Sequence, residues 1–461
     1  MCLGVGILLD RSPPAAAALG GLAVFVGLIV RLPQIRITGL FAGAVMLTSA
    51  LVDLPGRIHL GRFTANAALT ILYAAFAVIV IATYGRSNSD RPAARPLWAF
   101  AFLLSLGGIS VLWAAPSVSA VQNLLVLFIF LACILCGMAI ARRGEAVHEF
   151  ASMSFGLSSA VALALYAASL ARGGIGSGSV VGTRSFALFG LVAISWGVTG
   201  WRYKGKYARA LTLMSGLLIM LSLSRIAFAA ALVIVSLAWL NPKSGIAWMR
   251  FFAVVGLMIA IAFEASMHIR PLHDRIYTGD LRSFAGGVSI NVTGRADLWS
   301  TTWHSFLTSP WIGHGVGTAD VLITKNYSAA IGHPHNDYLR LLHDYGALGT
   351  ALWAVGYGWL LLRTWRAWQA RRRRGRAFDD HTAPGQMTEP RIHAAAFLSL
   401  LGVALAMITD NVIIYMFVMG PVGVLAGLSL GLSAREEHEL RRSYWLRRPR
   451  SIRDDRLAAR D

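Results

Sequence analysis

The sequence is poor in charge and poorer in cysteine. Only 14% of its 461 residues are Asp, Glu, Lys or Arg, too few to coat a soluble protein of this length. Its three cysteines are Cys2, Cys133 and Cys136, and the last two lie as CILC inside an apolar segment, so neither a disulfide framework nor a zinc site is implied. Small-residue packing is the expected use of that pair. Acidic residues are scarce as well: 22 Asp and Glu face 42 Lys and Arg, for a formal charge of +20. In a soluble protein that excess would suggest nucleic acid, but here the arginines gather in loops and at the carboxyl end, where membrane orientation accounts for them. A nucleic-acid partner is therefore not expected. The chain has no glycine-rich nucleotide loop after a strand and no carboxylate cluster for a divalent ion. Met1–Leu9 is apolar but short, has no basic leading region and runs into Asp10 and Arg11, so no cleaved leader is expected.

Long hydrophobic runs are what the sequence does have. Hydrophobic residues make up 56% of it, and the mean hydropathy is +0.60. The runs fall in blocks near the ~20 residues that cross a bilayer core, beginning with Pro14–Val30 and Ile37–Val52 and ending with Ala347–Leu362, Ile392–Thr409 and Val412–Leu432. In lipid the backbone must satisfy its own hydrogen bonds, so the expected fold is all-α: a polytopic bundle of about 12 to 13 transmembrane helices. The basic loops set the orientation. Arg363, Arg366, Arg371 to Arg374, Arg376 and Arg391 precede the last two spans, and nine more arginines lie beyond Ala434, so both segments are expected in the cytoplasm. The chain then divides into a bundle at 1–267, a loop at 268–346, three helices at 347–432 with a basic cytoplasmic loop at 363–391, and a basic cytoplasmic tail at 433–461.

The same count places His268 to Tyr345 on the outer side as one large polar loop. Gly313, Gly315 and Gly317, with Pro310 and Pro334, mark turns between short helices. Trp299, Trp303 and Phe306 recur at i, i+4 and i+7 and predict an aromatic face on the headgroup boundary. Tyr338, Leu341, Leu342 and Tyr345 predict a second such face, opposite Asp337, Arg340 and Asp344.

The chemistry concentrates in His333-Pro334-His335-Asn336-Asp337, followed by Gly346 and Gly349. Asn336 is a plausible N-cap, which sets His335 just ahead of a helix whose positive end favours a neutral imidazole. A neutral ring could accept a proton from a sugar hydroxyl. The plainer alternative is an exposed turn that only caps the helix. Gly346 is expected to close that helix, and Gly349 to let the next span pack closely. Arg225, in Ser222-Leu223-Ser224-Arg225, lies between two apolar blocks, where a guanidinium either meets an anion or snorkels to the headgroups. Arg295 opens the first loop helix, and either joins Arg225 on a diphosphate or pairs with Asp297. Asp410-Asn411, at the outer hairpin between the last two spans, could touch substrate but reads first as a hairpin cap, and His304, His314 and His343 read as surface groups.

The string His335-Asn336, nine residues, Gly346, two residues, Gly349 resembles the loop motif of the O-antigen ligase/polymerase family, H-[NSQ]-x9-G-x2-G. Gly294-Arg295-Ala296-Asp297-Leu298-Trp299, the Pro310–Gly317 segment and Ser224-Arg225 resemble that family's other elements, from about Leu221 to Leu362. The resemblance implies an undecaprenyl-pyrophosphate-linked glycan donor attacked at its anomeric carbon by an acceptor hydroxyl on a glycan or lipid. It implies His335 as the base and Arg225 and Arg295 on the pyrophosphate, with no metal or other cofactor. His333, Asn336 and Asp337 are candidates to assist, and Gly313, Gly315, Gly317, Gly346 and Gly349 are structural. The implied setting is a bacterial inner membrane with the large loop periplasmic. The acceptor stays open between ligase, polymerase and protein O-oligosaccharyltransferase, and the sequence leaves the oligomeric state unknown. A transporter or flippase of lipid-linked glycans is the reading of another class, but no repeat relates the two halves.

Overall fold

The structure is a computed structural model. It describes residues 34–446 apart from 61–62, 85–96, 115–116, 143–146, 204–206, 241–243, 269–272, 274–280, 284–288, 292–294, 328–331 and 378–387. The first expected span, Pro14–Val30, the cysteine at position 2 and much of the basic tail lie outside the described residues.

The described chain is helical apart from two small hairpins. In order it runs α1 (Gln34–Ser49), α2 (Leu54–Arg57), β1 (His59–Leu60) paired antiparallel with β2 (Phe63–Thr64), α3 (Ala65–Tyr84), α4 (Trp98–Ile109), α5 (Val118–Ala141), α6 (Val147–Gly173), α7 (Thr183–Arg202), α8 (Ala208–Leu221), α9 (Arg225–Leu240) and α10 (Gly245–His268). The loop region follows, with β3 (Leu281–Ser283) paired antiparallel with β4 (Ser289–Asn291), then α11 (Arg295–Phe306) and α12 (Thr318–Asn326). The chain closes with α13 (Asp337–Ala377), α14 (Thr388–Ala406) and α15 (Met416–Leu446). Sequence periodicity gave no sign of either hairpin.

Five of these helices, α3, α5, α6, α13 and α15, are long and apolar enough to cross a membrane, and six shorter apolar helices accompany them. The fold is thus the all-α polytopic bundle expected. α7 is absent from both groups for a physical reason. It carries Ser195, Thr199, Gly197 and Gly200 among its apolar residues, and Phe186 through Gly200 are all buried. A helix surrounded by protein gains nothing from an all-apolar surface, and its hydroxyls close onto their own backbone: Ser195 Oγ donates to Leu191 O at 2.6 Å and Thr199 Oγ1 to Ser195 O at 2.8 Å.

The tightest seam joins α5 to α15. Gly423, Gly427 and Gly431 recur every fourth residue on one face of α15, the spacing that lets helix backbones approach in lipid. A Cβ on Gly423 would lie 2.9 Å from Phe130 O and 2.9 Å from Cys133 Cβ. Cys133 and Cys136 are free thiols buried in this seam, which is the packing role that the CILC segment suggested.

Candidate functional site

Three helices begin at one cavity. α7 starts at Thr183-Arg184, α9 at Arg225 and α11 at Arg295, and all three arginines line a cavity of about 330 Å³ together with Ser224, Thr409 and Asp410. A helix amino end carries unsatisfied N–H groups and about half a positive charge, so a cation there opposes the dipole and costs roughly 0.3–1 kcal/mol. An anion in the cavity would offset that cost at all three ends. Arg184 Nε lies 3.4 Å from Asp410 Oδ2, the one carboxylate lining the cavity. Burial first pushes the Asp410 carboxyl above its ordinary value, and Arg184 and the Asn411 N–H pull against that rise.

The backbone at this site is strained. Leu223, at the corner between α8 and α9, has φ 58°, and His335 has φ 53°. Neither is glycine, and each left-handed residue costs of order 1–3 kcal/mol, a strain that accumulates where function demands a fixed geometry.

His335 stands beside the arginines. Arg184 Nη1 lies 3.2 Å from its Nδ1 and 3.4 Å from its Nε2. The Asn411 side-chain nitrogen lies 3.0 Å from Nδ1, and Asp410 Oδ1 is 3.9 Å away. Burial, then the guanidiniums of Arg184 and Arg295, with His333 and Arg340 behind them, lower its pKa to about 3. The ring is neutral across the physiological range.

The turn that carries His335 is held on every side. Asn336 caps α13, its Oδ1 accepting from Leu339 N at 3.0 Å. Asp337 donates its N–H to Met407 O at 3.0 Å, and its carboxylate accepts from the Val412 and Ile413 amides of the α14–α15 turn. Trp299 Nε1 donates to Pro334 O at 3.0 Å. Arg340 pairs with Asp320, which also accepts from His333 Nδ1 at 2.7 Å. Asp344 accepts from the Gly317 and Ala319 amides at 2.9 and 2.8 Å and so caps α12.

The glycine motif is a backbone splice. Gly346, at φ 65° and ψ −171°, breaks α13 into a short helix and a long one, as the sequence anticipated. The freed carbonyls of His343 and Asp344 accept from the amides of His314 and Gly315 at 2.8 and 2.9 Å. Gly313, Gly315 and Gly317 all have positive φ along this strip, and a Cβ on Gly313 would meet Gly346 N at 2.5 Å. Gly349 lies against α4, where a Cβ would come 3.2 Å from Leu103 Cδ1.

Several expectations are corrected here. Asp337, Arg340 and Asp344 do not face water: all three are buried, Arg340 against Asp320, Asp344 against the Gly317 and Ala319 amides, and Asp337 against the amides of the α14–α15 turn. Trp299, Trp303 and Phe306 do not form one lipid-facing stripe; Phe306 is buried, Trp299 bonds the turn that carries His335, and only Trp303 of the three, at 43%, is well exposed. His343 is buried rather than a surface group, bonded to Ser305 Oγ at 3.0 Å and stacked on His314 at 4.8 Å between ring centres. Asp410-Asn411 does cap its turn, Asn411 N donating to Asp410 Oδ1 at 2.9 Å, but it also reaches His335 and the cavity.

Arg225 and Arg295, chosen from the sequence, therefore share a cavity, with His335 beside it. Arg184 was missed as part of the site, and Asp410-Asn411 was weighed as a substrate contact but read first as a hairpin cap. Among the described residues no group of three or more His, Cys, Asp or Glu side chains is arranged to hold a metal ion. Residues 210–354 match the family model described as O-antigen ligase, a stretch that holds Arg225, Arg295, His335 and the glycine splice. No curated protein matches the chain.

Proposed function

We propose, from the match of residues 210–354 to the O-antigen ligase family model and from the membrane-spanning helices, that this protein transfers a glycan from an undecaprenyl-pyrophosphate carrier to an acceptor hydroxyl, on the periplasmic side of a bacterial inner membrane. The observation that carries the proposal is the convergence of three helix amino ends, each with an arginine, on one cavity beside a neutral histidine. A pyrophosphate diester bears two negative charges, and the guanidiniums of Arg184, Arg225 and Arg295 line the cavity that would hold it. The guanidiniums hold the leaving group and draw charge onto it as the anomeric bond lengthens. Ile226 and Ala229 extend the cavity wall along α9 with apolar surface suited to the polyprenyl chain. His335 meets the acceptor hydroxyl at the edge of this anion site. The acceptor is another lipid-linked repeat unit in a polymerase or a lipid A core in a ligase, and the basic segments at 363–391 and beyond 433 lie in the cytoplasm by the charge rule.

The experiment is release of undecaprenyl pyrophosphate by the purified full-length protein in nanodiscs, from an undecaprenyl-pyrophosphate-linked oligosaccharide. Lipid A core is offered as acceptor, and in a separate reaction a second donor molecule. Wild type releases the carrier and extends one of the two acceptors, and His335→Ala does not. Transfer by His335→Ala at the wild-type rate would remove that residue from the mechanism, and no release by wild type with either acceptor would refute the transferase reading.

A further inference from the structure

The resemblance implies His335 as the base, but the surroundings of that ring suit another task. Both of its nitrogens face the Arg184 guanidinium, and a proton added there would stand among Arg184, Arg295, His333 and Arg340. Two residues earlier the environment is the opposite. His333 Nδ1 lies 2.7 Å from the carboxylate of Asp320 on α12. The same Nδ1 lies 2.8 Å from Arg340 Nη2; the tautomer that directs an Nδ1 hydrogen at the carboxylate leaves Nε2 its lone pair. The side chain is 30% exposed, while Asp320 is buried.

Asp320 is built to stay ionised. Burial works to raise its pKa, but the Arg340 guanidinium and the His333 and Ser119 hydrogen bonds outweigh that and hold it below the usual carboxylate value. Arg340, on α13, shares the same carboxylate oxygen and lies 2.8 Å from His333 Nδ1. His335 and Asp410 also lie within electrostatic reach of the His333 ring. Because Pro334 is buried and its carbonyl is tied to Trp299, one rigid turn carries both histidines.

We propose that His333, oriented by Asp320, is the residue that takes the proton from the acceptor hydroxyl, while neutral His335 aligns that hydroxyl beside the pyrophosphate. The inference rests on the transferase reading and divides between two histidines what the resemblance gives to one. In the step, the hydroxyl O–H bond breaks and its proton passes to His333 Nε2. The oxygen forms its bond to the anomeric carbon, and the bond from that carbon to the pyrophosphate oxygen breaks with its electron pair leaving on the pyrophosphate. The imidazolium, paired with Asp320, returns its proton to water through its exposed edge. Asp320 and Arg340 are positioning residues.

The test uses the nanodisc assay above across pH 4.5 to 8.5. His333→Asn is expected to lower kcat by about 100-fold or more, with KM for the donor within about threefold of wild type, because the cation site is untouched. Asp320→Asn lowers kcat by less than His333→Asn does, again with KM for the donor little changed, and His335→Asn also lowers the rate. His333→Gln, which also cannot take a proton, repeats the measurement should the asparagine variant fail to elute as a single species. A His333→Asn or His333→Gln rate within about fivefold of wild type overturns the proposal. That result leaves the transferase reading standing, whereas a wild type that never releases carrier refutes that reading instead.

Discussion

Neutralising the arginines one at a time separates their roles. A hydrogen bond to a charged group contributes about 1.5–3 kcal/mol, and about 1.4 kcal/mol is tenfold in affinity. Arg225→Ala and Arg295→Ala therefore each weaken binding of undecaprenyl pyrophosphate by roughly 10- to 100-fold. Lysine at either position restores the charge but not the planar fork, so it recovers only part of the loss. Arg184 differs, because its guanidinium also faces Asp410, a buried carboxylate 3.4 Å away. Arg184→Ala leaves that carboxylate without its partner and aims its charge at the ligand, so the loss exceeds that of either other arginine. Adding Asp410→Asn to Arg184→Ala then restores part of the affinity, and the two changes are not additive. The assay is equilibrium binding of radiolabelled undecaprenyl pyrophosphate to full-length protein in detergent, with elution as a single species as the folding control. If all three single variants bind within about twofold of wild type, the cavity is not the pyrophosphate site.

Two further outcomes follow from the same geometry. The folded pKa of His335 is lowered to about 3, against about 6.5 unfolded, so below pH 6.5 the unfolded chain gains a proton that the folded one refuses. Stability therefore falls as pH drops from about 6.5 toward 3, by about 2 kcal/mol from this group at pH 5. His335→Gln should show a correspondingly smaller fall in Tm between pH 7.5 and 5; an unchanged fall would contradict the assigned environment. Gly346→Ala places a side chain at φ 65° against the Trp311–Gly313 strip, and is expected to lower stability by at least about 1–2 kcal/mol and to abolish transfer. Wild-type Tm and activity in that variant would show that the break in α13 is not required.

The bundle was legible because a lipid-spanning helix announces itself by length and apolarity, as Val118–Ala141 does. The turn at His335 was legible because a cap, a glycine break and two histidines fall at fixed spacing. Arg184 was not, although the argument applied to Arg225 fits it as well: a guanidinium opening an apolar helix. Its weight comes from neighbours far along the chain, Asp410 and His335, that no local pattern connects. The face of Asp337, Arg340 and Asp344 was misread for a related reason. Periodicity divides a helix into two faces, but it does not say that the charged one will find Asp320 and the amides of Gly317 and Ala319 inside the protein.

The central claim, that three helix amino ends and their arginines form a pyrophosphate site, is tested most directly by cryo-electron microscopy of the full-length protein in nanodiscs with undecaprenyl pyrophosphate. The account predicts density for both phosphates within hydrogen-bond reach of Arg184, Arg225 and Arg295, with His335 at its edge. Carrier density resolved elsewhere on the protein, with this cavity holding only water, would contradict it.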